Sequence, residues 1–407
     1  MWLGIHECAM VAVWVDFLGG SAPVLRQASR LLLYDYQGSE MQLLRDGGIE
    51  GLWRMRDVTN QTNARIERER EELERFRLMP PLRSRAPVPF ATATFRKFDE
   101  ITDWLKELTE MYPRMTKTAR IGRSVEGRPI QVLRIGRRLK NRKRHPPAVW
   151  IDGGIHAREW MSPATVLYII ATLLEEYDFG NREVRQLLNK LDWYLLPVMN
   201  PDGYEYTFTA DRLWRKNRAK TENSRDPHGC QGVDLNRNFD FHFGESDTST
   251  NPCSNTYGGP RAESEPETQA VTNFIRGRKD RIKLLFTLHT WGPFWFVPYS
   301  HKRDAVHENA MELLTVSSVG ATAMRRVNGL EYQVGTAADL HSAASGTTED
   351  WAAKLGIPWA FCIEVGNGTY EFAPPSSWIQ PTGEEIWQGV KKAAMRLLGS
   401  KYVTRHY

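Results

Sequence analysis

The chain has 407 residues, 41% of them apolar, with 54 Lys+Arg against 49 Asp+Glu and a net charge of +5. At roughly 150 residues per domain this leaves room for two to three domains with a sizeable core, which excludes a small disulfide-stapled scaffold. So even a charge balance excludes a dedicated nucleic-acid binder, and no uncharged apolar run reaches the roughly 18 residues that a membrane span requires.

Residues 1–20 contain an apolar run, Met10–Gly20, that ends in small residues, as a signal segment does. Asp16 interrupts it and Glu7 replaces the basic start, so a signal segment and a misplaced start both remain open. From about Val24 to Pro89 apolar residues are sparse. Ile66–Arg77 alternates acids and bases at i,i+4 spacing, which predicts a helix facing solvent. The proline-rich stretch 79–89 predicts an extended linker, because proline stops helices and leaves the backbone accessible. Arg83 and Arg85 within it suit a trypsin-like protease.

After the linker, strands alternate with helices. The β-rich runs are Ile130–Ile135, Ala148–Ile151, Trp193–Val198, Ile282–Leu288 and Trp359–Val365. Helical patterns cover Pro163–Tyr177, Glu263–Arg278, Ala305–Arg326 and Ser376–Leu398. This predicts an α/β sheet with helices on both faces, and ligands in such sheets bind at the carboxyl ends of strands. The seven bases in Arg134–Arg144 lie between two strands and read as a solvated connection.

Four cysteines without a C-x-x-C pair exclude a zinc ribbon. Cys230 and Cys253 lie in a polar loop region where a disulfide of a secreted protein would sit. Cys362 reads as a small buried strand residue and Cys8 is unrelated to the pair. Asn60-Gln61-Thr62 and Asn367-Gly368-Thr369 fit the N-glycosylation pattern.

The strand Ala148–Ile151 runs through Asp152, Gly153 and Gly154 into His156 and Glu159. An imidazole and a carboxylate behind a glycine pair at a strand end can turn toward one point, and zinc accepts both ligand types. Alone the H-x-x-E spacing is weak. A third ligand would strengthen it, and the strand Leu284–Leu288 ends in His289.

At this point the sequence resembles the zinc metallocarboxypeptidases of the pancreatic A/B type, from about Phe90 to Leu398. The landmarks stand in the family's order: Gly122–Ile130, His156-x-x-Glu159-Trp160, Asn200–Tyr204, Trp214–Arg218, Gly232–Phe239, His289 and Glu364. The resemblance implies a mixed, largely parallel twisted sheet flanked by helices, with an N-terminal α+β propeptide region over 21–89, a catalytic domain over 90–399 and a tail at 400–407. It implies one Zn²⁺ held by His156, Glu159 and His289, with Asp234 orienting the first histidine. Glu364 would be the general base, taking a proton from the zinc-bound water and passing it to the leaving amine. Arg215 would steady the oxyanion, while Asn236 and Arg237 would grip the terminal carboxylate, with Arg158 along the same groove. Cys230 and Cys253 match the family's disulfide pair. The resemblance further implies a secreted monomer that acts on peptide or protein C-termini and is released by cleavage near Arg83 or Arg85.

Two features depart from the family. Ser342 stands where members usually present a tyrosine that closes over the terminal carboxylate, with His341 beside it, which predicts weaker substrate binding more than lost chemistry. The segment Gly366–Tyr370 replaces a longer loop that begins with a basic residue. The alignment puts Glu349 at the base of the pocket for the departing side chain, and Ser300 and Ala337 leave room around it. An acid there predicts release of Lys or Arg; the competing arrangement turns Glu349 outward or pairs it with Lys354. An active exopeptidase, basic- or apolar-preferring, thus competes with a carboxypeptidase-like peptide-binding protein of low turnover.

Overall fold

The computed structural model describes residues 58–71, 88–137, 145–221, 230–369 and 371–404. The chain divides into two units, Met1–Arg54 and Met55–Tyr407, and all that follows concerns the second. The signal segment, most of the propeptide region, Arg83 and Arg85, Cys8, most of the Arg134–Arg144 connection, Tyr370 and the last three residues lie outside the described residues.

Eight strands form one sheet: β1 (Thr116–Arg123), β2 (Pro129–Ile135), β3 (Ala148–Asp152), β4 (Asp192–Leu196), β5 (Ile282–His289), β6 (Phe294–Phe296), β7 (Gln333–Gly335) and β8 (Trp359–Glu364). Their order is β1-β2-β4-β3-β5-β8-β6-β7. The middle four are mutually parallel, while β1, β2 and β6 join antiparallel. The strand order reverses at β3, with β4 on one side and β5 and β8 on the other, which is where an open α/β sheet leaves a crevice at its carboxyl edge.

Successive side chains of β3 serve opposite faces, as the period of two requires. Val149 and Ile151 join the core packed by α4 (Met161–Asp178), α5 (Arg182–Lys190), α8 (Ala310–Asn328) and α11 (Ile379–Leu398), whereas Ala148 and Trp150 join the opposite core, under α7 (Pro266–Arg276) and α10 (Thr348–Lys354). Every residue of α4 from Met161 to Leu174 is buried, so this helix lies in the core over most of its length. The expected helices are present with shifted ends. The one expected from Glu263 starts at Pro266, because Glu263 takes a left-handed φ of 50° and proline suits the first helical turn. The one expected from Ala305 starts at Ala310, since residues 302–309 close turns on Lys302 and His307 instead.

The expectation of a helix facing solvent at 66–77 needs correction. A helix, α1, does run over residues 58–71, but one side of it is docked. Thr59, Thr62 and Ile66 are buried, Asn63 donates to Phe208 O at 2.7 Å, and Arg65 donates to Pro374 O at 3.0 Å. Arg70 pairs with Glu100 at 2.6 Å. The charges that looked free to face water are therefore partly spent on the neighbouring body. The linker also ends earlier than expected, because Val88–Ala93 forms a short helix, α2, where extended chain was predicted through Pro89.

Candidate active site

Three strand ends meet at the crevice. β3 ends in Asp152, and Gly153 and Gly154 carry the chain sharply to His156. A Cβ on Gly153 would stand 2.9 Å from the Ser162 carbonyl group, and Gly154 has φ +63°, so the turn requires both glycines. β5 ends in His289 and β8 in Glu364, paired across the parallel ladder in register. The resulting cluster is buried: His156 is 3% exposed, Glu159 2% and His289 1%.

The ligand atoms of His156, Glu159 and His289 all lie within 4.8 Å of one another. Glu159 Oε1 is 2.7 Å from His156 Nδ1, Glu159 Oε2 is 3.2 Å from His289 Nδ1, and the two Nδ1 atoms are 3.1 Å apart. The outer edge of each ring is tied elsewhere. His156 Nε2 meets Asp234 Oδ1 at 3.0 Å, while His289 Nε2 lies 3.5 Å from both Asn236 Nδ2 and Thr287 Oγ1. Such outer partners fix ring orientation and leave the inner nitrogens aimed at one point. Two converging imidazoles and one carboxylate suit zinc, which takes three protein ligands and keeps a further position open in catalytic sites. Thr290 N donates to Glu159 Oε2 at 3.1 Å and fixes that carboxylate further.

Arg215 closes one wall. Its Nε and Nη2 donate to Asp234 Oδ2 at 3.1 and 2.9 Å, and its Nη1 lies 3.7 Å from Glu159 Oε1. Burial alone would raise the Asp234 carboxyl, but Arg215 and His156 outweigh it and hold it well below the usual carboxylate range. Glu159 is likewise held down by the two histidines against the effect of its burial. Glu364 behaves in the opposite way: burial pushes it up to about 8, and its Oε2 has no hydrogen-bond partner. A carboxyl that can carry a proton near neutrality beside a metal-type cluster is suited to general acid–base work.

At the far end, Arg237 follows Asn236 on a single 3-10 turn, Leu235–Arg237, capped by the Asp234 carboxylate. Asn236 Oδ1 accepts from Thr348 N and Oγ1 at 3.0 and 3.1 Å, which ties this turn to the start of α10. Glu349 is 2% exposed, its Oε2 has no partner, and burial with the neighbouring Asp350 charge pushes it up to about 7. The arrangement that turns Glu349 outward or pairs it with Lys354 is not adopted: Glu349 faces inward, and Lys354 is exposed at the other end of α10. Ser300 is buried, with its N–H donating to both oxygens of Asp350 at 2.8 and 2.9 Å. Ala337 starts the short helix α9 (Ala337–Leu340) and packs with Phe296 and Cys362. Arg158 donates to Leu213 O at 3.3 Å and lies over the Phe372 ring at 4.2 Å. Ser342 and His341 are exposed and bonded to each other at 2.9 Å. Cys230 and Cys253 form a disulfide, with Cα atoms 4.8 Å apart.

Sequence reasoning missed two acids of this region. Asp152 accepts from Trp150 Nε1 at 2.6 Å and Thr287 Oγ1 at 2.8 Å, and so braces the strand ends beneath the cluster. A charged residue closing an all-apolar strand was the available signal. Asp247, bound to Arg237, gave none, for it lies in a polar loop.

The family of zinc carboxypeptidases matches residues 101–389 of this chain. Carboxypeptidase O of Bos taurus is 39% identical over 297 residues, 73% of this chain and 77% of that protein. Carboxypeptidase B of Astacus astacus is 37% identical over 303 residues, covering 74% and 96%. The crystal structure of thrombin activatable fibrinolysis inhibitor superposes with a TM-score of 0.74 at 32% identity, covering 85% of this chain and 81% of that one. Relatives of differently named types stand at similar identity, so the likeness assigns the family and leaves the pocket preference to the pocket's own chemistry.

Proposed function

The chain belongs to the zinc carboxypeptidase family, and from that premise we propose that it releases C-terminal residues from peptides, with zinc on His156, Glu159 and His289 and a preference for Lys or Arg. The observation that carries the reading is the convergence of two Nδ1 atoms and a carboxylate beside Glu364, in register on the neighbouring strand. When bound, zinc would act as a Lewis acid on the scissile carbonyl and make water a stronger acid.

The chain's own groups supply the rest. Glu364, partly reachable from the cleft, takes a proton from the attacking water at its carboxylate and delivers it to the leaving amine. Arg215, anchored on Asp234, presents a fixed positive charge to the carbonyl oxygen as that oxygen gains electron density. Asn236 and Arg237 hold the terminal carboxylate and so restrict cleavage to the last residue. Glu349 receives the departing cationic side chain in the space left by Ser300 and Ala337. The Cys230–Cys253 bridge favours an oxidising, extracellular setting, and cleavage at Arg83 or Arg85 by a trypsin-like protease is the activation step.

The test is a panel of blocked peptides that differ only in their last residue. Release of Lys or Arg ahead of Phe or Leu, stopped by a chelator and restored by zinc, is expected. Absence of any release by the trimmed protein sinks the hydrolase reading, while a preference for Phe or Leu sinks only the specificity.

A further inference from the structure

Arg237, 9% exposed, already holds a carboxylate of its own chain. Its Nη2 donates to Asp247 Oδ2 at 2.5 Å, its Nε to Asp247 O at 2.9 Å and its Nη1 to Asn236 O at 2.9 Å. Three of the five N–H donors of the guanidinium are thereby committed. Asp247 is 43% exposed and sits in the left-handed region at φ +45°, a setting that a non-glycine residue keeps only when its neighbours hold it. The neighbours do hold it. Ser246 N donates to Ser345 Oγ at 3.0 Å, Ser345 N donates to Ser246 O at 3.0 Å, and Thr248 Oγ1 lies 3.1 Å from Ser345 Oγ. Gly346 then packs so closely that a Cβ there would stand 2.4 Å from Arg237 O. The acid and the cation are thus presented to each other by one stitched unit, while the Asp247 side chain stays partly exposed to solvent.

We infer that Asp247 is an internal competitor that sets substrate affinity: its carboxylate occupies one face of Arg237, where a peptide's terminal carboxylate must bind. This rests on the reading of Arg237 as the anchor for that carboxylate. An incoming carboxylate either displaces Asp247 from the guanidinium or binds beside a like charge, and each route weakens binding without touching the reacting bond. The competitor acts on free C-terminal acids and not on peptides whose end is an amide.

The experiment compares the wild type with Asp247→Asn, Asp247→Gly and Arg237→Lys, using one free-acid peptide substrate, and as inhibitors a second free-acid peptide and its C-terminal amide. Glycine suits the left-handed backbone, so it keeps the test readable should asparagine disturb the loop. Both Asp247 variants are expected to lower KM for the acid, and its inhibition constant, by about twofold to fivefold, the upper range of a partly exposed ion pair. The change should fall on KM and not on kcat, and the amide inhibitor should shift less than twofold. Unchanged or raised KM in both Asp247 variants, with Arg237→Lys still weakening the acid, overturns the inference and makes Asp247 a mere orienter of Arg237. If Arg237→Lys leaves acid and amide alike, the anchor reading fails and takes the inference with it.

Discussion

At the metal end of the cleft, His156, Glu159 and His289 are each at most 3% exposed, and each is tied from outside by Asp234, Thr290 N or the Asn236–Thr287 pair. At the substrate end, Arg237 leans on a partly exposed aspartate, Glu349 keeps an unpartnered oxygen, and Ser342 and His341 are exposed and bonded to each other. The difference follows from what each end must do. A metal site gains from rigid, dry ligands, because any reorganisation is charged against binding. A site that admits and releases a charged chain end keeps groups whose partners exchange. Substitutions at the metal end should therefore abolish function, and those at the substrate end should only grade it.

The largest effect is expected from His289→Ala. Removal of one of three ligands should take the metal content from about one zinc per chain to near none, and turnover with it. Metal analysis of the purified variant together with the peptide assay checks this, and a full zinc complement with normal turnover would break the contrast at its strong end. Next comes Glu364→Gln, which keeps the volume and the metal but loses the proton carrier. Turnover should drop about 10²–10⁴-fold with zinc content constant. A variant that works within a few-fold of wild type would show that another group moves the proton.

The same contrast explains what could be read from the sequence. Much of the metal end was legible from position, because His289 closes the strand that begins at Ile282 and His156 stands behind two glycines, while the role of Glu364 came from the family resemblance. Strand ends carry position, so a motif there also states a place. The substrate end was legible only in part. Asp350 caps Ser300 from 50 residues away, and Ser246 meets Ser345 across 99, pairings that no local pattern encodes. The helix at 58–71 was half legible for a related reason: alternating charges predict helicity, but not that Arg65 and Arg70 find partners at Pro374 and Glu100. Charge pattern fixes which faces are polar and leaves open whether water or protein covers them.

The smallest of these effects belongs to Glu349, and it grades the contrast most finely. Burial and Asp350 push this carboxyl up to about 7, so without a substrate it is protonated below about 7 and charged above. A Lys or Arg side chain entering the pocket meets either a neutral acid, which offers a hydrogen bond, or a carboxylate, which offers an ion pair in a dry site. The advantage of Lys over Leu, taken as a ratio of kcat/KM values, should therefore be fully present above about pH 7 and decline as pH falls through it. Taking a ratio cancels the titration of Glu364, since both substrates share the same proton carrier. Glu349→Gln should lower the ratio about tenfold to hundredfold at pH 8, the range for a charged hydrogen bond in a buried site, and make it insensitive to pH. Glu349→Ile should go further and favour apolar ends, because an uncompensated ammonium in that pocket would have no partner. If the glutamine variant keeps both the preference and its pH dependence, Glu349 does not read the departing side chain.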